Sequence, residues 1–209
     1  MGAVFYDQIS LIYCSIIAPK DIQDRRGLIF CKSKQQYINA LDGYLTKVER
    51  EDGEYEGQET HKLKFFLREH NSSDTWVLSC GRRSFFTRSI LNCLANLDQI
   101  GWVRLTPYLS EDPKTGKKFI HGAVRHDINF TNLGLSDSYK VKKKYNWSEI
   151  PVLETLQVQL KSGKTKEELD SSARDEFFEN LIDELMEKLN NRSNQIPFEE
   201  ESVKANISF

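Results

Sequence analysis

Between residues 40 and 125 the hydrophobic period changes in a fixed order, and that order restricts the fold more than any other property of the chain. Tyr44 to Glu49 alternates at the two-residue period of a half-buried strand, and the polar stretch from Glu51 to Glu59, with Gly53 and Gly57, follows as a loop or sharp hairpin. His61 to His70 is the clearest strand. It places Leu63, Phe65 and Leu67 on one side and Lys62, Lys64, Phe66 and Arg68 on the other. Asn71 to Asp74 reads as a turn and Thr75 to Cys80 as a third strand. Past Gly81 the period becomes helical: Phe85, Phe86, Ser89, Ile90, Cys93, Leu94 and Leu97 recur at spacings of three and four, and Ser84 is placed to cap the start. Gly101 ends that stretch. Trp102 to Leu109 is again a strand, Ser110 to Lys118 a hairpin loop, and Phe119 to Arg125 a fifth strand.

Three strands, one helix and two strands, in that order, match the chain order of a five-stranded Greek-key barrel of the OB type, whose helix lies between the third and fourth strands. The expectation is a mainly β fold with α: an OB-fold-like barrel over residues 40–150, extra strands in residues 1–39 packing on it, a helical extension at 151–190, and a flexible acidic tail at 191–209. An unrelated α+β sheet with the same element order is the competing architecture. A length of 209 residues lets one large domain bury a core without staples. With 39% hydrophobic residues, 5 Pro and 11 Gly, a collagen-like or wholly disordered chain is excluded.

No apolar run reaches the roughly 18 residues of a membrane span. The stretch from Val4 to Ala18 is interrupted by Asp7, Gln8 and Ser10 and lacks the basic start of a signal peptide, so the expected location is cytoplasmic, with no membrane partner. Cys14, Cys31, Cys80 and Cys93 show no CxxC spacing, and His61, His70, His121 and His126 no metal-ligand spacing. Reduced core thiols and structural or surface histidines are expected, with no metal and no cofactor.

Net charge is -2, but its distribution is uneven. Residues 1–60 carry 7 Lys/Arg against 10 Asp/Glu, residues 61–150 carry 15 against 8, and residues 151–209 carry 7 against 13. A basic middle between acidic flanks is the footprint of a domain that meets a polyanion; chance clumping of surface charge is the plain alternative.

The outward faces sharpen this expectation. On the second strand Phe66 lies among Lys62, Lys64 and Arg68. On the fourth, if Val103, Leu105 and Pro107 face the core, then Trp102, Arg104 and Tyr108 face outward together. Alternation of cations and rings suits single-stranded nucleic acid, because Lys and Arg neutralise phosphates while rings stack on unpaired bases. Arg82 and Arg83 before the helix, Lys114, Lys117 and Lys118 in the loop between the fourth and fifth strands, and Arg125 extend the track. The alternatives are rings that belong to the core and lysines that form a solvated face. Residues 137–147, with Lys140, Lys142, Lys143 and Lys144 between Tyr139, Val141, Tyr145 and Trp147, read as a further edge strand or as part of the basic groove.

In the flanks, Gln8 to Ile17 and Gly27 to Cys31 read as strands around a charged turn, Pro19 to Arg26. Thr165 to Glu168 reads as a capping box opening a helix to about residue 190, with Phe178, Leu181, Ile182, Leu185, Met186 and Leu189 on one face. That face suits docking on the chain's own core first and self-association through residues 165–190 second. The last stretch, from residue 190 to 209, is polar and lacks periodicity, as a disordered tail does.

With these segments on the page, the order of elements from Tyr44 to Arg125, the stretches TWVLSCGRRSFFTRSILNCLANL, GWVRLTPY and KVKKKYNW, and an acidic tail ending in Phe together resemble phage single-stranded DNA-binding proteins of the OB-fold type. The resemblance covers about half the chain well and the tail loosely. It implies a non-catalytic protein that coats single-stranded DNA, with RNA as the other substrate, in replication or recombination in a host cytoplasm. It also implies recruitment of other replication or recombination proteins through a tail containing Glu199, Glu200, Glu201 and Phe209. Lys204 makes this tail less acidic than the family pattern.

Enzyme signatures are lacking. Ser162-Gly163-Lys164-Thr165 echoes the end of a P-loop, but Val158 stands where the upstream Gly belongs. No GxSxG, HExxH or GxGxxG motif is present, and Asp127, Asp137 and Glu149 are scattered. A protein–protein adaptor or virion structural component built on the same barrel is the alternative from another class.

Overall fold

The computed structural model describes residues 10–17, 28–69, 72, 74–127, 138–159 and 165–193. Strands β1 (Leu11–Ile16), β2 (Ile29–Cys31) and β3 (Gln36–Ile38) form a short antiparallel meander. A longer meander follows, made of β4 (Leu41–Tyr55), β5 (Gln58–Arg68) and β6 (Thr75–Gly81), then helix α1 (Phe85–Leu94) and the hairpin of β7 (Trp102–Glu111) and β8 (Lys118–Asp127). The element order from β4 to β8 is the one the alternating periods indicate.

Local chemistry explains these boundaries. The β4–β5 hairpin closes through Glu56 and Gly57, both at positive φ (51° and 74°), as a two-residue turn of the primed type requires. The polar stretch after Glu49 therefore continues the strand to Tyr55 instead of looping out. Ser84 caps α1 by accepting the Thr87 N–H at 3.2 Å, and the Thr87 hydroxyl donates to the Gly81 carbonyl at 2.7 Å, binding the helix start to the end of β6. At Gly122 of β8 a Cβ would stand 2.5 Å from the Ile90 side chain, so glycine is what lets α1 lie this close to β8.

The sheet is mixed and does not close into a barrel. For β6, β5, β4, β7 and β8 to close, β6 and β8 would have to pair. Instead β1 occupies the outer edge of β6 in parallel register, from Leu11 opposite Thr75 to Ser15 opposite Ser79. Among the described residues the result is one nine-stranded sheet in the order β3-β2-β1-β6-β5-β4-β7-β8-β9, with β9 (Tyr139–Lys140) on the far edge. The expected edge strand over residues 137–147 is thus reduced to two residues, and its remaining described part runs as irregular turns.

The core lies between one face of the sheet and helices α1 and α2 (Ser172–Ser193), and Leu63, Phe65, Leu67, Leu78, Val103, Leu105 and Val124 are fully buried there. Helix α2 packs on β4 and α1. Its apolar stripe is consumed by this docking: Phe178, Leu181, Ile182, Leu185 and Leu189 are each at most 4% exposed. Residues from Thr165 do not open the helix, contrary to the capping-box expectation. They form β11 (Thr165–Asp170), which pairs with β10 (Glu154–Gln159) in a separate hairpin, and the helix begins after Asp170 accepts the Ser172 N–H at 2.8 Å. Among the described residues, no helix is long and apolar enough to cross a membrane. Of the stretch expected to be disordered from residue 190, residues 190–193 instead continue α2 to Ser193; the rest of it, with Glu199, Glu200, Glu201 and Phe209, and the charged turn at 19–26 lie outside the described residues.

Candidate nucleic-acid interface

The alternation of β5 turns Lys62, Lys64, Phe66 and Arg68 to the face away from the core, as the strand period requires, and register places partners beside them. One cross-strand row runs from Tyr13 on β1 through Val77 and Phe66 to Lys47 on β4. Val77 is fully buried between neighbours in this row, Tyr13 is 45% exposed, and the Lys47 ammonium stands 5.3 Å from the centre of the half-buried Phe66 ring. Lys62 and Arg68 are exposed and make no ion pair among the described residues. Lys64 is held by Glu51 at 2.7 Å, a hydrogen bond that raises its pKa and keeps it charged.

The open sheet leaves a cleft of about 830 Å³. It lies where β6 and β8 fail to meet: Ser79 to Gly81 line it from one strand and Lys118 to Ile120 from the other. Lys32, Lys62, Lys64 and Lys118 bring four ammonium groups to it, Tyr13, Phe85 and Phe119 bring accessible rings, and Glu51 is the one carboxylate among the lining residues. At its lip Phe85 meets Phe119 edge-on with centroids 4.8 Å apart and His121 at 5.5 Å, and His121 stacks on the exposed Tyr108 at 5.6 Å. Desolvation, reinforced by Lys143, lowers the pKa of His121, so this ring is neutral at neutral pH.

Beside the cleft, the β7–β8 loop is organised by Asp112. Its carboxylate accepts the backbone N–H of Lys114 at 2.8 Å and of Thr115 at 3.3 Å, and the Asp112 carbonyl accepts that of Gly116 at 2.8 Å. Lys114, Lys117 and Lys118 are exposed on this frame. Hydrogen bonding, first from Lys114, lowers the Asp112 pKa, so the frame persists as pH falls into the ordinary carboxylate range.

Several residues selected from the pattern have other occupations. Trp102, expected on an outward face, is 2% exposed, with the Arg104 guanidinium 5.7 Å from its ring centre, so it has no free face for a base. Arg104 pairs with Asp42 at 3.0 Å, and Arg125 donates to the Ser138 hydroxyl and carbonyl at 3.2 and 2.9 Å. Both lie towards the Trp102 end of the hairpin, about 13 Å along β7 from Tyr108. Arg82 is clasped between Asp52 at 3.2 Å and Glu179 at 3.0 Å. Arg83 stands 3.3 Å from Asp175, which also binds Arg88 at 2.7 Å. These arginines anchor α2.

Periodicity alone missed Tyr13, Lys32, Phe85 and Phe119. The signal for Tyr13 is present: in LIYCSI, Ile12 and Cys14 alternate with Leu11, Tyr13 and Ser15. The inward set is buried, which turns Tyr13 outward. Nothing local indicates that β1 joins β6. Among the described residues no group of His, Cys, Asp and Glu is arranged to hold a metal ion. No family model, no curated protein and no solved structure matches the chain.

Proposed function

We propose that this protein binds single-stranded nucleic acid without sequence preference and without catalysis, as a coat for DNA exposed in replication or recombination. The observation that carries the reading is the cleft, where four lysines and three accessible rings converge with a single carboxylate. Lysines neutralise phosphates at any sequence, and each ring offers a stacking surface contributing about 1–3 kcal/mol per base. A duplex keeps its base faces covered. We read β4 to β8 as an opened OB-like arrangement in which β1 extends the ligand face. The acidic end with Glu199, Glu200, Glu201 and Phe209 belongs to the same reading as a recruiting segment, and the host cytoplasm as its compartment.

The test is titration of labelled oligo-dT and of duplex DNA at two salt concentrations. The expected result is preference for the single strand and a slope of log affinity against log salt of about -2, for three phosphates neutralised by Lys32, Lys62 and Lys118, Lys64 being paired with Glu51. Equal affinity for duplex, or none for oligo-dT, contradicts the reading. The adaptor alternative draws on the β10–β11 hairpin, where Leu156 and Leu169 are 45% and 68% exposed. An apolar protein contact there would be insensitive to the same salt change.

A further inference from the structure

The lip of the cleft is continued towards the lysine-rich turn by Phe85, His121 and the exposed Tyr108, with Lys143 near enough to His121 to act on its charge. Beneath this line Phe85, Ser89 and Asn92 occupy one face of α1 at spacings of four and three, about 10 Å from first to last; Phe85 is exposed, while Ser89 and Asn92 are buried and set the positions of His121 and the turn. Phe85 forms the lip of the cleft. The Ser89 hydroxyl is 3.4 Å from His121 Nδ1, next to the Tyr108 stack. Asn92 fixes the turn: its Nδ2 donates to the Tyr145 carbonyl and its Oδ1 accepts the Tyr145 N–H, both at 2.9 Å, while its backbone carbonyl accepts the Lys144 N–H at 3.0 Å. So positioned, the turn exposes Lys142, Lys143 and Trp147, with the Lys143 ammonium 5.2 Å from the centre of the Trp147 ring. Lys144 is turned aside to Glu184 at 3.6 Å, and Glu149 accepts the Asn146 N–H.

We propose that a single strand leaving the cleft passes Phe85, His121 and Tyr108 and is gripped a second time at this turn, Lys142 and Lys143 meeting phosphates and Trp147 stacking on a base. The proposal rests on the cleft reading and extends it from a pocket to a lane.

Two lengths of oligo-dT separate them: one of about four nucleotides, enough for the cleft, and one of about twelve, enough for both. In the full chain, Lys142→Ala/Lys143→Ala/Trp147→Ala should leave the short ligand's affinity unchanged within about twofold. The same variant should weaken the long ligand at least tenfold and flatten its salt slope by about 1.4. Equal affinity of variant and wild type for the long ligand overturns the lane and leaves the cleft standing. Equal loss at both lengths places the turn inside the first site and also overturns it. Failure of the wild type to bind either length removes the cleft reading and the lane together.

Cys14 and Cys31 carry a second inference that needs no ligand. They are direct partners in the antiparallel β1–β2 ladder, and their side chains are 2% and 0% exposed. Backbone bonds run from the Lys32 N–H to the Tyr13 carbonyl and from the Ile17 N–H to the Leu28 carbonyl, so the cysteine pair occupies a non-hydrogen-bonded position between them. Such pairs bring Cα atoms to about 4.5 Å, within the usual 4.4–6.8 Å of a disulfide. We infer that Cys14 and Cys31 close into a cross-strand disulfide when a low-molecular-weight disulfide such as oxidised glutathione is present. Burial pushes the Cys14 thiol up to about 12, so exchange takes place when the short β1–β2 ladder opens: one thiolate then attacks the small disulfide and releases one small thiol, and the second cysteine displaces the other. Two protons leave the protein, and its two electrons reduce the small disulfide.

Equilibration of the full chain with excess oxidised glutathione, followed by denaturation, alkylation and peptide mapping, tests this. One linked peptide joining Cys14 to Cys31, with Cys80 and Cys93 alkylated, is the expected result. Alkylation of all four cysteines, or linkage of any other pair, overturns it.

Discussion

His126 couples three elements through one ring. It is 1% exposed, its Nε2 accepts the Gly101 N–H at 3.1 Å, and its Nδ1 lies 3.2 Å from the Tyr139 hydroxyl. Burial, opposed by Asp127, lowers its pKa below the ordinary 6.5. The unfolded chain therefore takes up a proton first as pH falls, and stability declines from about pH 6.5 down to the lowered folded value, by at most about 1.4 kcal/mol per pH unit. Urea midpoints between pH 7 and pH 5 should show this decline, and His126→Gln should flatten it. The two kinds of aromatic divide at the same scale. Tyr13→Ala/Phe119→Ala should weaken oligo-dT binding more than tenfold with little change in unfolding midpoint, because both rings line the cleft. Trp102→Ala should instead cost about 3–5 kcal/mol of stability, because that ring is buried. Alternation on β7 indicated correctly that Trp102 and Arg104 share a face. It could not show that Arg104 lies across the ring, since that depends on side-chain packing.

At the scale of elements, α2 is held by charge as well as by its apolar stripe. Asp175 sits between Arg83 and Arg88, and Glu179 between Arg50 and Arg82. Asp175→Ala would strand Arg88, whose side chain is 13% exposed and whose pKa is already lowered by desolvation. The expected loss is about 3 kcal/mol in chemical denaturation. These contacts also mark where sequence reading stops. The strands from β4 to β6, helix α1 and the β7–β8 hairpin were legible because burial on one face imposes a period. The segment Thr165 to Asp170 was not, because Thr-Lys-Glu-Glu satisfies a helix start locally while its strand state depends on pairing with Glu154 to Gln159. Similarly, Arg82 and Arg83 resemble phosphate ligands until α2, about ninety residues later in the chain, supplies their carboxylates.

Over the whole molecule, one pairing choice governs both shape and site. With β1 on the edge of β6, the five central strands stay open, and the opening becomes the cleft. The same event delivers Tyr13 and Lys32 to ligands already supplied by β5 and β8. Parallel pairing of segments some sixty residues apart leaves no local trace, which is why the central elements could be read and their closure could not. The basic charge of residues 61–150 is divided accordingly: part faces the cleft, and part is neutralised by α2. Photo-crosslinking of oligo-dU carrying halogenated bases, followed by peptide mapping, is the most direct test of a single strand in this cleft. Adducts at Tyr13, Phe85 or Phe119 are predicted, and adducts confined to other surfaces, or none under saturating conditions, would contradict the account.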